Sequence, residues 1–261
     1  MPRYKLTLEY AGTRYSGWQI QKNARTVQGE LQRALQTVVG GPVETYGSGR
    51  TDAGVHAIGQ VAHADFGRPM PPATLVTRVN DALPSDINVR AAEQVPARFH
   101  ARHSAVARSY LYQISTRRSA FAKPYVWWVR ADLDLDRMRD AARPLLGLGD
   151  FRSFTDDDPE EKSTRVLVSD VRIELHGDLI LIRLIGSHFL WKMVRRLVGV
   201  LAAAGRGEVS RDQVTALLTG DGDERLSPAA LTAPAAGLFL EHVTYTEAAW
   251  PPLAPAAVSV R

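Results

Sequence analysis

The chain has no cysteine, which excludes a thiol nucleophile, a thiolate metal centre, a disulfide framework and any redox couple carried by the protein. It also has no apolar run of the roughly 20 residues that a membrane helix needs. The opening residues Met1-Pro2-Arg3-Tyr4-Lys5-Leu6 lead at once into strand-like alternation, with no stretch resembling a signal peptide. The expectation is therefore a cytoplasmic protein without membrane association. Lysine is scarce, with 5 residues against 27 arginines among the 32 basic side chains. A GC-rich genome raises Arg, Ala, Gly and Pro together, so this bias says less than the position of particular arginines. Seven histidines (His56, His63, His100, His103, His176, His188 and His242) are scattered without metal-ligand spacing, and no metal is expected.

What is present suits one large core or two modest ones: 261 residues, with 32 basic and 28 acidic side chains giving a formal charge of +4. Tyr4–Tyr10 alternates with period two and predicts a strand. Thr26 is a candidate cap for a helix carrying Val27, Leu31, Leu35 and Val38 on one face, stopped by Gly40-Gly41-Pro42. A strand over 59–66, a helix over 72–83 and a strand from Ile87 follow.

The second half repeats the plan without a detectable sequence repeat. It has a strand over 107–116, a helix over 134–146 and a hairpin of 166–175 with 179–185 turning at His176-Gly177-Asp178. Helices over 189–204 and 210–218 then precede a closing strand over 238–245. Residues 154–162 are acidic, with no evident buried face, and read as a solvated loop. The Pro/Ala-rich stretch 248–261 reads as a poorly ordered tail. Domains are expected at 1–103 and 104–247.

Gly47-Ser48-Gly49-Arg50-Thr51-Asp52-Ala53-Gly54-Val55-His56-Ala57 is the segment in which chemistry concentrates. Its glycines permit tight turns and close backbone approach to a ligand, while Asp52 and Arg50 supply a carboxylate and a guanidinium. An isolated carboxylate serves as a general base or as a nucleophile holding a covalent intermediate. The same residues also describe a polar turn in which Asp52 bonds its own backbone and Arg50 meets water or a surface carboxylate.

The stretch 49–57 resembles the signature of the TruA family of tRNA pseudouridine synthases. Further blocks resemble that family in its order: Tyr10–Gln19, Phe99–Ala105, Arg108–Tyr112, Phe189–Arg195 and Ala233–Leu238. Ala11 departs from the family pattern, in which an acidic residue is common at this place.

The resemblance implies an α/β (α+β) fold of two similar domains, each a mostly antiparallel sheet with helices on one face, joined around a central active-site cleft. It implies isomerisation of uridine to pseudouridine at positions 38, 39 and/or 40 of the tRNA anticodon stem-loop by a cofactor-free homodimer. Asp52 takes the essential aspartate's place, Arg195 that of the group orienting and holding its charge, and Tyr110 that of the ring under the flipped base. Arg50 corresponds to the base-displacing arginine, and Leu238 belongs to an aliphatic element covering the base. Lys192 and Arg196 are candidate RNA-backbone contacts, with Arg206 beside them, while Tyr112 and Trp18 read as core. Two rival readings are a non-catalytic binder of structured RNA and an unrelated carboxylate-dependent hydrolase. Asp52, Tyr110 and Arg195 together argue against pure binding, and the lack of a second catalytic acid weakens the hydrolase.

Overall fold

The computed structural model describes residues 1–67, 69–222, 225–246 and 256–259. The chain is mixed α/β and divides into two compact units, Met1–Val106 with Phe239–Ala248, and Ala107–Leu238 with the remaining tail. Most of the predicted tail lies outside the described residues.

The first unit begins with strand β1 (Arg3–Tyr10), helix α1 (Val27–Val39), β2 (Thr45–Gly47), β3 (His56–Asp65), α2 (Pro72–Ala82) and β4 (Ile87–Val95). Period-two alternation in β1 buries Tyr4, Leu6, Leu8 and Tyr10 on one face. Thr26 caps α1 by accepting the Gly29 N–H at 3.3 Å, and Gly40 closes the helix in the left-handed region at φ 72°. The stripe Val27, Leu31, Ala34 and Leu35 is buried, while Val38 of the predicted face is half-buried. The β1 strand pairs antiparallel with β3 and β4, and β2 pairs antiparallel with β3.

The second unit carries β5 (Ala107–Ser115), β6 (Trp127–Trp128), α3 (Leu135–Ala142), β7 (Gly147–Asp150), β8 (Arg165–His176), β9 (Leu179–Gly186), α4 (Met193–Gly205) and α5 (Arg211–Thr219). Its sheet runs β5-β9-β8-β7 through antiparallel pairs, with β6 parallel to β5. Strand β9 is buried at every position, as a central strand covered on both faces should be. Helix α4 is buried over nearly its whole length. The last strand, β10 (Leu238–Thr244), lies parallel to β3, with Phe239 opposite His56 and Leu240 opposite Ala57.

Two helix bounds and one loop depart from the sequence reading for reasons the structure shows. Helix α3 ends at Ala142 and tightens to a 3₁₀ turn over Arg143–Leu145, because Pro144 has no N–H to continue the ladder. Helix α4 begins at Met193 rather than 189, since Lys192 sits in the left-handed region at φ 59°. Residues 154–162 are not simply solvated. Phe154 is fully buried, and Asp156 and Asp157 bind the start of α4. No helix among the described residues is long and apolar enough to cross a membrane.

Candidate active site

In the first unit the Asp52 loop joins β2 to β3 and is held from both sides. The Trp18 N–H donates to the Thr51 carbonyl at 3.0 Å, and the Gly54 N–H donates to the Tyr15 carbonyl at 3.3 Å. A Cβ on Gly17 would stand 2.6 Å from the Thr51 carbonyl oxygen, and Gly17 has φ +90°. A Cβ on Gly12 would stand 1.9 Å from the Val55 oxygen. Only glycine admits these approaches, so the block around residues 10–19 serves as the bed on which the loop lies.

Beneath the loop is a buried polar network. Gln60 donates to the Gly49 carbonyl at 2.9 Å and accepts from the Ser48 hydroxyl at 2.9 Å, while the Tyr10 and Thr51 hydroxyls meet at 2.8 Å. Burial pushes the Tyr10 phenol up to about 12, so it stays protonated and available as a donor. His56 is buried at the loop's end, where its Nδ1 accepts the Gly12 N–H at 3.0 Å and its ring stacks on Phe239 at 4.8 Å. With the backbone satisfied on both flanks, half-buried Asp52 and exposed Arg50 are the acidic and basic side chains the loop displays. Sequence reasoning assigned Tyr10, Gln60 and Gly17 no role in the site, because a strand tyrosine, a strand glutamine and a turn glycine give no local sign of the loop they hold.

In the second unit Tyr110 lies on β5, packed edge-to-face on Phe189 at 5.2 Å. Tyr112, two residues on, is fully buried, and its hydroxyl donates to the Pro234 carbonyl at 2.8 Å; burial raises its phenol pKa. The segment 233–238 is drawn against this ring so tightly that a Cβ on Gly237 would stand 2.6 Å from it. Leu238 follows and is buried.

The same segment holds Arg195, whose Nε donates to the Ala233 carbonyl at 2.7 Å. Arg196 is buried and pairs with Asp156, and its Nε is the one buried side-chain polar atom without a partner among the described residues. Lys192 reaches the same carboxylate at 2.7 Å and stands 4.6 Å over the Trp191 ring. These two cations hold the Asp156 carboxyl below its ordinary range, Lys192 and then Arg196 through their hydrogen bonds. Arg206 pairs with Glu208 at 2.7 Å. Among the described residues no group of three or more histidines and carboxylates is placed to hold a metal ion.

A family model described as tRNA pseudouridine synthase matches residues 7–104 and 141–246. A tRNA pseudouridine synthase A of Rhodopseudomonas palustris (strain BisA53) is 42% identical over 248 residues, covering 94% of this chain and 100% of that protein. The same-named protein of Parvibaculum lavamentivorans is 40% identical, with 94% and 100% covered. That of Anoxybacillus flavithermus is 38% identical over 247 residues, with 94% and 99% covered. A pinned, glycine-bedded loop presenting one carboxylate and a likeness that runs almost end to end lead to one conclusion: this chain belongs to the tRNA pseudouridine synthase family.

Proposed function

We propose that the protein isomerises uridine to pseudouridine at positions 38, 39 and/or 40 of the tRNA anticodon arm, acting as a cytoplasmic homodimer. The observation that carries this reading is the Asp52 loop, whose backbone is satisfied on both flanks and whose displayed groups are one carboxylate and one guanidinium. Asp52 acts on the ribose of the target. It attacks C1′ or removes the 2′ proton, and in either case the N1–C1′ bond breaks. The uracil turns and C5 bonds to C1′ as the aspartyl–C1′ bond breaks on the first route, or as the removed proton returns to C2′ on the second; the C5 proton then leaves and N1 gains one. Atoms and oxidation level are conserved, so the sequence of steps calls for no redox cofactor.

Tyr110 supplies a ring beneath the displaced base, Leu238 an apolar cover, and Arg195 a positive charge for the carboxylate. Arg50, beside Asp52 on the same loop, takes the place of the base in the stack or holds a neighbouring phosphate. Lys192 exchanges Asp156 for an RNA phosphate when substrate arrives. Arg196, buried against the same carboxylate, holds the first turn of α4 in reach of the backbone.

The test is nucleoside-resolved mapping of unmodified tRNA incubated with the purified protein. Pseudouridine within positions 38–40, and none on free uridine, is expected. A product elsewhere in the tRNA would overturn the site assignment, and hydrolysis of the glycosidic bond without rejoining would favour the hydrolase reading.

A further inference from the structure

The block Phe99–Ala105 has no part in the chemistry above, yet its turn is built around one imidazole. His100 Nδ1 accepts the N–H groups of Arg102 at 3.1 Å and His103 at 3.3 Å, and the Ser104 hydroxyl accepts the His100 N–H at 2.9 Å. An Nδ1 occupied as acceptor places the proton of the neutral ring on Nε2, which makes Nε2 a fixed donor. Burial, and then the charges of His103, Arg3 and Arg102, lower the pKa of His100, so the neutral form is the resting one. A neutral donor in a fixed orientation suits an anionic oxygen without requiring acid conditions.

His100 lines two hollows of the first unit, and their chemistry differs. The larger, about 710 Å³, includes Glu44 and Asp65 in its wall, and Asp65 is engaged with Arg3 at 2.6 Å. The smaller, about 370 Å³, has no carboxylate in its wall. Its ionisable and polar lining includes Arg50, His100, Arg102 and His103, with Gly49 and the exposed ring of Tyr46 beside them. Gly49 and Arg50 belong to the Asp52 loop, so this hollow opens against that loop. Its volume lies near the lower end of small-ligand sites, roughly 300–1,000 Å³.

We propose that this hollow is a phosphate subsite for the RNA strand bound at the Asp52 loop, in which Arg102, His103 and His100 hold a backbone phosphate of a nucleotide neighbouring the target. The assignment rests on the reading of the chain as a tRNA-modifying enzyme and adds a place on the surface to it. A phosphate gripped here fixes the strand's register relative to Asp52, since backbone contacts position while carrying no sequence information. The Tyr46 ring, packed on His63 at 5.1 Å and on His100 at 5.9 Å, stiffens the wall from behind. The larger hollow holds Glu44 and an Arg3 already committed to Asp65, so it offers the same group less.

The experiment measures the affinity of the full-length protein for unmodified tRNA over a range of salt concentrations, in wild type and in Arg102→Ala, His103→Ala and His100→Asn. Arg102 and His103 are exposed, so their loss spares the core. Asn at 100 retains an acceptor near the place of Nδ1 and so holds the turn, but lacks a donor at the reach of Nε2. Arg102→Ala is expected to weaken binding by about fivefold to tenfold and to reduce the salt slope by about 1, the signature of one lost phosphate contact. The two histidine variants should weaken binding severalfold with native melting temperatures. Wild-type affinity and salt slope in all three folded variants would overturn the subsite. Failure of the wild-type protein to bind or modify tRNA would instead overturn the activity on which it rests.

Discussion

Arg195 and Ala233 hold each other at two points: the Ala233 N–H donates to the Arg195 carbonyl at 3.0 Å, and the Arg195 Nε donates to the Ala233 carbonyl at 2.7 Å. Gly199 on the same helix makes this approach feasible, because a Cβ there would stand 1.7 Å from the Leu231 oxygen. The Nε end of the guanidinium is thus anchored to backbone, a rigidity that suits the partner role proposed for Arg195.

Arg195→Lys keeps the charge but loses the planar fork and its Nε anchor. Single-turnover isomerisation should fall by about 100-fold, on the scale of other losses of transition-state electrostatics. A rate near wild type would show that charge alone suffices and that the Ala233 anchor has no catalytic consequence.

Gly17→Ala tests the bed of the Asp52 loop. The new Cβ meets the Thr51 carbonyl and a backbone that L side chains rarely adopt, so thermal unfolding should show a loss of about 1–3 kcal/mol. Activity should drop further than the melting temperature explains, since Asp52 lies one residue beyond the displaced carbonyl. Unchanged turnover in a destabilised variant would mean that the loop's placement is set elsewhere.

In the role proposed for Tyr110, the ring acts through its face and the hydroxyl is secondary. Tyr110→Phe should therefore retain far more activity than Tyr110→Leu, with base stacking on an aromatic ring contributing about 1–3 kcal/mol. Equal losses in the two variants, measured as kcat on saturating tRNA, would assign the phenol a chemical role that stacking does not supply.

Much of this was legible in the sequence, for reasons that differ by element. The β1 alternation, the Thr26 cap and the hairpin ending at His176 depend on neighbours a few residues away, and local patterns carry that information. The start of α4 was misread because an apolar run over 189–204 gives no sign that Lys192 turns left-handed. That turn accompanies contacts from Asp156 and Asp157, over 30 residues earlier. For the same reason the acidic stretch read as solvent-facing, although Asp156 meets a buried arginine. Asp52 was singled out by its motif, whereas Gly17, Gln60 and Ala233 support the two segments through close approaches that no spacing encodes.

His63 gives the stability a pH dependence of definite sign. Burial, then the charges of Arg3 and His100, lower its pKa to about 4, with Asp65 opposing. The unfolded chain, titrating near 6.5, binds the proton first. Stability should therefore fall as pH drops from about 6.5 to about 4, with no further loss from this group below that. His63→Gln retains an acceptor for the Ala101 N–H, now made at 3.1 Å, and should flatten the decline in melting temperature across that window. An equally steep decline in the variant would place the titrating group elsewhere.

The most direct measurement is single-turnover isomerisation by Asp52→Asn, followed on unmodified tRNA by nucleoside analysis, alongside tRNA affinity for the same preparation. The amide preserves size but can neither attack C1′ nor take a 2′ proton, while phosphate contacts elsewhere are untouched. The proposed role of Asp52 requires no detectable pseudouridine, with a native melting temperature and tRNA affinity within a few-fold of wild type. Pseudouridine formed at the wild-type rate by that folded, tRNA-binding variant would contradict it.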